Sequence, residues 1–456
     1  FYSLAINILA ALATLVALAR FTRDRLTPSW RAVVLILFAA NPYIWRNVFG
    51  GMETPFFLLL QVLIWITVSE ITETSTPRRT AMLCLLLVLA LLMRADGFLT
   101  VGIAIVYLFV RKQYRVVAIA LAVSLTAFAL HVAWRYSYYG YPLPNTYYAK
   151  VSGPLAKRIE NGSLGLLGFA FKGGVIFLIA ALLAPLVAGP RKAARDKVDP
   201  ALYIPFEAFW AGMWLLYWFY IGGDWMGFRF LLFFVPLGAY AVARQLQPYI
   251  RSPRRVALIG VLLAGLHMLP IFTSVDFVYA FEKYDAWREL GEYMGKHYPG
   301  STIAVEGAGR IPYFSGLYTI DMLGLNDTHI AHMDTDYFRI PGHSKFDPEY
   351  VLGRRPDFIV AFCENGTDLQ WGIEEKLYRD YGYRMAYLVC LQPFPSERGT
   401  IIDVRGAPVS EREAIIRERE QLGEHLMTGV IEHIDALDIN PSQAPPKNGQ
   451  PSHGAD

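Results

Sequence analysis

The chain has 456 residues, of which 54% are hydrophobic, 14% aromatic and only 18% charged. That charge content is below the roughly 25% of soluble domains, which excludes a single soluble enzyme and a disordered chain. Residues 1–275 carry 25 Lys+Arg against 10 Asp+Glu, and residues 276–456 carry 17 against 29, so the net charge of +3 hides a basic apolar half and an acidic half.

A spanning helix needs about 20 mostly apolar residues. Apolar runs predict spans near 1–19, 31–46, 55–70, 80–93, 97–110, 116–134, 165–188, 203–221, 228–243 and 255–275. Runs 80–93 and 97–110 are short and flank Arg94-Ala-Asp-Gly97. They read as two spans meeting at one face, because Arg and Asp at mid-depth of one long helix would be costly. The chain opens on Phe1 inside an apolar run and reads as a piece whose upstream part is missing.

Alternate loops carry Arg20, Arg23, Arg25 and Arg31, then Arg78 and Arg79, Arg111, Lys112 and Arg115, Arg191 to Lys197, and Arg244 to Arg255. The positive-inside rule puts that face in the cytoplasm, so a basic net charge here reflects orientation and not nucleic-acid binding. By the same parity the acidic C-terminal part is extracytoplasmic. Residues 1–275 are thus expected as a multi-span domain and 276–405 as a periplasmic α/β domain. A charged helix over 406–438 and a disordered tail over 439–456, rich in proline, follow. The fold class is an α-helical polytopic membrane protein of nine to ten spans with a C-terminal α/β domain. Cys84, Cys363 and Cys390 form no metal spacing; Cys363 and Cys390 pair only if their strands are adjacent, and buried thiols are the simpler reading.

The unusual loops lie on the outer face. Gly50-Gly-Met-Glu-Thr54 precedes a Pro that suits a helix start, so Glu53 reads either as a helix-terminal acid or as a carboxylate at the water–lipid boundary. Arg94 and Asp96 read either as a structural pair or as contacts to a lipid phosphate and a sugar. Tyr138 to Lys150 holds five tyrosines, two prolines, Asn145 and Lys150. An aromatic belt explains the tyrosines but not Pro-Asn-Thr followed by Lys; Tyr147 and Tyr148 can stack on a sugar, Asn145 can bind hydroxyls and Lys150 can face a phosphate. Gly222-Gly-Asp-Trp-Met-Gly-Phe-Arg229 brings Asp224, Trp225 and Arg229 into one tight turn. Glu306-Gly-Ala-Gly309 lacks the third glycine of a dinucleotide loop and reads as a strand-end turn near Asp321.

Gly-Met-Glu-Thr, Arg-Ala-Asp-Gly, Tyr-Tyr-Gly-Tyr-Pro-Leu-Pro-Asn-Thr-Tyr-Tyr-Ala-Lys, the Gly-Gly-Asp-Trp turn and Ile-Asp-Met-Leu-Gly-Leu-Asn-Asp occur in that order over residues 1–340. The set resembles the GT-C superfamily of polyprenyl-phosphate-sugar-dependent glycosyltransferases, in the group that includes the mycobacterial terminal β-arabinofuranosyltransferase. The resemblance implies a multi-pass enzyme of the bacterial inner membrane. It implies a polyprenyl-phosphate-linked sugar, arabinofuranose being one option, as donor and a cell-envelope glycan or glycolipid as acceptor, at the outer face of the bilayer. Members of the superfamily usually carry a catalytic Asp in a first outer loop, which the parity of the spans leads us to expect upstream of Phe1. The chemistry needs a carboxylate base and cations for the leaving phosphate. Asp224, Asp96 and Glu53 are the expected catalytic carboxylates, with Asp224 the stand-in base. Arg94, Lys150 and Arg229 are the expected phosphate ligands, with Lys172 a further outer-face cation. Asn145, Tyr147, Tyr148, Trp225 and Asp321 are the expected sugar contacts. No metal-ligating residues are expected, and the cofactor is either none or a divalent cation, in whose use GT-C members vary. The competing readings are a flippase for lipid-linked glycans and a non-catalytic envelope scaffold. A transporter should also present an inner-face polar cluster, and none is evident in the sequence.

Overall fold

The computed structural model describes residues 2–196, 204–224, 226–273, 286–339, 341–363, 365–390, 401–421 and 427–434. The chain divides into two units, residues 1–281 with 336–341, and residues 282–335 with 342–456.

The first unit is helical. Its elements are α1 (Tyr2–Phe21), α2 (Pro28–Ala40), α3 (Pro42–Phe49), α4 (Thr54–Glu73), α5 (Pro77–Met93), α6 (Gly97–Val110), α7 (Tyr114–Tyr139), α8 (Asn145–Lys150), α9 (Leu155–Lys172), α10 (Ile176–Asp196), α11 (Phe206–Ile221), α12 (Phe234–Leu246) and α13 (Pro253–Met268). Among the described residues four helices are long and apolar enough to cross a membrane: α1, α4, α7 and Pro253–Phe272. Two bent pairs raise the number to six if each is one span. The exposed faces of these helices are apolar, with Ile6, Leu9, Leu12 and Val16 on α1 and Leu258, Val261 and Leu262 on α13. This is the surface of a membrane protein, where lipid takes the place of water.

Two expected spans are broken. Near 31–46, Pro42 favours an extended Asn41 and ends α2; the Asn41 side chain then accepts from the amides of Tyr43 and Ile44, and α3 leaves at 48°. Near 165–188, Gly173-Gly174 separates α9 from α10 and the chain turns by 119°. Gly174 has φ +62, and a Cβ there would sit 2.2 Å from the carbonyl oxygen of Leu266, so only glycine fits. The expectation that 80–93 and 97–110 are separate helices corresponds to α5 and α6, parted by residues 94–96.

The second unit is α/β. Six strands, β1 (Thr302–Val305), β2 (Tyr318–Asp321), β3 (Phe358–Cys363), β4 (Tyr383–Cys390), β5 (Ile401–Asp403) and β6 (Met427–His433), form one sheet in the order β2-β1-β3-β6-β4-β5. β1 pairs in parallel with β2 and β3, and the remaining pairs are antiparallel. Helix Ala286–His297 buries Leu290 and Met294 on one face with Ile303 and Val305.

The expected charged helix over 406–438 is corrected here. Val409–Gln421 is helical, but Met427–His433 is a strand between β3 and β4. Its alternation is weak because Glu432 is buried as part of a charge network. Glu432 is fully buried and accepts from Arg384 at 2.9 Å and Arg405 at 2.8 Å. Removing the Glu432 charge weakens both of these charge-assisted bonds. Arg384 is 42% exposed and Arg405, 23% exposed, keeps Asp403 at 2.8 Å, so Glu432→Gln is expected to destabilise the chain by about 1–2 kcal/mol, whereas Glu413→Gln, in an exposed pair with Arg417, changes less than about 0.5 kcal/mol. Thermal unfolding midpoints of the full chain compare the two.

β6 also separates the strands of Cys363 and Cys390. Cys363 is a free buried thiol, its pKa pushed up to about 11 by burial. The side chain of Cys390, residue Trp225 and the tail from residue 439 lie outside the described residues.

Candidate active site

The loops that stand out in the sequence converge. Glu53 at the start of α4, Arg94 and Asp96 between α5 and α6, Tyr147 and Lys150 on α8, and Asp224 and Arg229 after α11 line one cavity of about 180 Å³. Local sequence explains each placement. Pro55 in the first turn starts α4 just after Glu53. Gly222 and Gly223 take φ of +83 and +81, which lets the chain reverse at the end of α11 and return Asp224 to the cavity. Phe228 has φ +54, a costly conformation for a bulky residue, and packs its ring on Tyr43 at 4.9 Å and Phe169 at 5.3 Å. That packing offsets the strain and fixes the direction of the adjacent Arg229.

Two ion pairs close on themselves. Arg94 donates Nε to Asp96 at 2.9 Å and Nη2 at 3.0 Å, and its guanidinium lies over the rings of Phe57 and Phe230. Arg229 donates to both oxygens of Asp224 at 3.1 and 3.0 Å, and the Met226 amide adds a third bond to that carboxylate. All four side chains are at most 11% exposed. Glu53 differs: it is 43% exposed and lies 3.7 Å from Arg94, the longest of these contacts.

Lys150 is the remaining cation. It has no hydrogen bond or ion pair among the described residues. Burial, followed by repulsion from Arg229, lowers its pKa below the ordinary 10.5, with Asp224 pulling the other way. Three cations and three carboxylates therefore reduce to one uncommitted cation and one loosely held carboxylate.

A second cavity, of about 370 Å³, abuts the first and shares Arg94, Ala95 and Tyr147 with it. Its wall is largely apolar, with Leu91, Leu92, Phe98, Phe128 and Leu143. Arg135 and His131 also line it.

Not every expected residue joins the site. Asn145, Tyr148 and Lys172 are not among the residues that line the polar cavity. Tyr148 sets its ring edge-on against Tyr141 and Tyr147. Asp321 belongs to the other unit and is spent in its own loop, accepting from the amides of Leu323 at 3.0 Å and Asn326 at 2.7 Å; burial raises its pKa against those bonds. Glu306 likewise accepts from the Phe362 amide and the Trp371 indole. Sequence reasoning missed Tyr217, Phe230 and Thr146, which line the cavity. Tyr217 carries no distinguishing signal, being one of many aromatics on α11.

Among the described residues no group of three or more His, Cys, Asp or Glu could hold an ion, and Asp96 and Asp224 are already claimed by arginines.

Residues 278–406 match a family model described as "Domain of unknown function (DUF8728)". No curated protein matches the chain. A cryo-EM structure of a mutant of the arabinofuranosyltransferase AftD from Mycobacteria is similar over 94% of this chain, with a TM-score of 0.35 and 12% identity. The chain spans about a third of that protein's length, 34%.

The sequence shows no polar cluster at the other end of the helices, and the structure has one. At the opposite ends of α4, α6 and α11, Arg25, Arg111, Arg244, Glu73 and Glu207 line a polar cavity of about 390 Å³. These residues are dispersed in sequence, which hid them. Along α4 and α11, between the two polar cavities, Trp65, Trp210 and Trp214 are at most 1% exposed.

Proposed function

We propose that the chain is a GT-C-type membrane glycosyltransferase, of about ten spans, that moves a sugar from a polyprenyl phosphate to a cell-envelope glycan or glycolipid. One observation supports the reading: an uncommitted Lys150 and a loosely held Glu53 share a cavity lined by charged side chains, and Arg94, Ala95 and Tyr147 also line the neighbouring, largely apolar one. A lipid-linked phosphosugar has that same division of polar head and apolar chain. The first isoprene units occupy the apolar cavity, the phosphate meets Lys150, and the sugar lies between Tyr147 and Tyr217.

The donor phosphodiester carries one negative charge, and a second develops as the bond to the anomeric carbon breaks. Lys150 meets that charge, with Arg94 and Arg229 flanking it. Asp96 and Asp224 hold the two guanidiniums in place. Both oxygens of Asp224 are engaged, so it is a positioning residue in this reading rather than the base. Glu53 accepts the proton of the acceptor hydroxyl as its oxygen attacks the anomeric carbon. The bond electrons leave with the polyprenyl phosphate. The bacterial plasma membrane, an extracytoplasmic second unit and arabinofuranose as donor sugar belong to this same reading.

The test uses the full chain in sealed vesicles with decaprenyl-phosphate-arabinose, a hexosyl analogue and short glycan acceptors. Mass spectrometry follows free polyprenyl phosphate and the extended glycan. Transfer from either donor supports the enzyme. Passage of intact donor across the bilayer without transfer supports a flippase instead, against which the packed tryptophans of α4 and α11 stand.

A further inference from the structure

We infer that Asn7 is a positioning residue for Glu53; the inference rests on the transferase reading and deepens it. The Glu53 side chain does not fix its own place, being 43% exposed and 3.7 Å from its cation. Its place is set by the backbone that carries it, the short linker from Gly50 to Glu53 between α3 and α4. Gly51 bends that linker with φ +71. Helix α1 holds it. Asn7, 3% exposed, donates Nδ2 to the Met52 carbonyl oxygen at 2.8 Å and to the Val48 carbonyl oxygen at 3.3 Å. The first acceptor belongs to the peptide that joins Met52 to Glu53. The second lies in the last turn of α3, where carbonyls lack a partner within the helix.

Duty within α1 does not explain this amide. A polar side chain in an apolar membrane helix is costly, and the other buried one on α1, Thr14, bonds back to its own helix at the Ala10 carbonyl oxygen, 2.8 Å away. Asn7 instead spends its donors on the linker. Water can solvate the exposed Gly50 and Gly51, but only a group on a packed helix gives the linker a fixed direction. A further contact to the linker, Arg229 Nη1 to the Met52 sulfur at 3.8 Å, is weak. In this reading Glu53 meets the acceptor hydroxyl and Lys150 the donor phosphate, so a displaced linker costs transfer rate and not donor affinity.

Single-turnover transfer and donor affinity of the full chain in vesicles, with decaprenyl-phosphate-arabinose as donor, test it. Asn7→Leu is expected to slow transfer by about 10–10²-fold, as displacement of a reacting group by about 1 Å should, with donor affinity kept. In a Glu53→Gln background the same substitution is expected to slow transfer further by less than about twofold, because it acts through Glu53. Thr14→Val, which removes only a bond within α1, is expected to leave the rate unchanged. Amide exchange needs no substrate: the amides of residues 51–57 are expected to exchange faster in Asn7→Leu than in the parent. Asn7→Ser, whose side chain is too short to reach Met52, takes its place if Asn7→Leu does not fold. An Asn7 variant that transfers at the parent's rate while Glu53→Gln does not, an equal slowing with and without Glu53, an equal slowing in Thr14→Val, or unaltered exchange each overturns the inference and leaves the transferase reading standing. A Glu53→Gln chain that transfers at the parent's rate removes the base, and the inference falls with it.

Discussion

Lys150→Gln is expected to lower kcat/KM for the lipid-linked donor by about 10²–10³, the loss typical of removing one group aimed at developing charge. Its thermal midpoint should stay at or slightly above that of the parent chain. The reason is the missing partner: a partly buried ammonium without a carboxylate costs the fold something, and nothing is stranded when it goes. Arg229→Gln is the contrast. It leaves Asp224, 5% exposed, without its bidentate partner, and stability should fall by about 3–5 kcal/mol along with activity.

The pH dependence follows from the same lysine. Burial and the nearby arginines hold its pKa below 10.5, so its charge is lost at lower pH than for an exposed lysine. Donor affinity should fall as pH rises through that lowered value. The stability of the free chain moves the other way. The unfolded lysine binds more protons between the lowered folded pKa and 10.5, so stability rises with pH in that window. Donor titrations and melting curves at matched alkaline pH read the two signs. If both are flat in Lys150→Gln but not in the parent, the titrating group is Lys150. Equal slopes in both chains would sink the assignment.

Much of this site is legible in the sequence because its residues sit in short, polar, glycine- and proline-marked loops between apolar runs. Such loops stand out against 54% hydrophobic composition. Seven of the expected residues, Glu53, Arg94, Asp96, Tyr147, Lys150, Asp224 and Arg229, line one cavity. What the sequence does not reveal is pairing. That Asp224 is locked by Arg229 while Glu53 is nearly free is a matter of approach distances, which no spacing encodes. Tyr217 is invisible for another reason: on an aromatic helix, only tertiary direction separates a cavity-lining ring from Trp214 or Trp218 in the core. In the second unit, β6 escapes notice because a fully buried Glu432 reads as a solvated charge until Arg384 and Arg405 are seen beside it. The opposite cavity escapes because its five charges come from the ends of separate helices.

Glu53→Gln and Asp224→Asn separate the two roles that the sequence alone merges. Glu53 is 43% exposed and its nearest cation contact is 3.7 Å, so the amide should fold with the parent's midpoint. If Glu53 takes the acceptor proton, kcat falls by about 10²–10⁴ while donor binding is retained. Asp224→Asn keeps shape but removes the charge opposite a guanidinium 11% exposed. Arg229 is then buried without its counter-charge, so the midpoint drops and donor binding changes with it. Two measurements on each variant, donor affinity in the absence of acceptor and single-turnover transfer in its presence, give the split. A Glu53→Gln chain that transfers at the parent's rate removes Glu53 from the reaction. An Asp224→Asn chain that melts and binds normally yet fails to transfer returns the base to Asp224, with Arg229 released to the leaving phosphate.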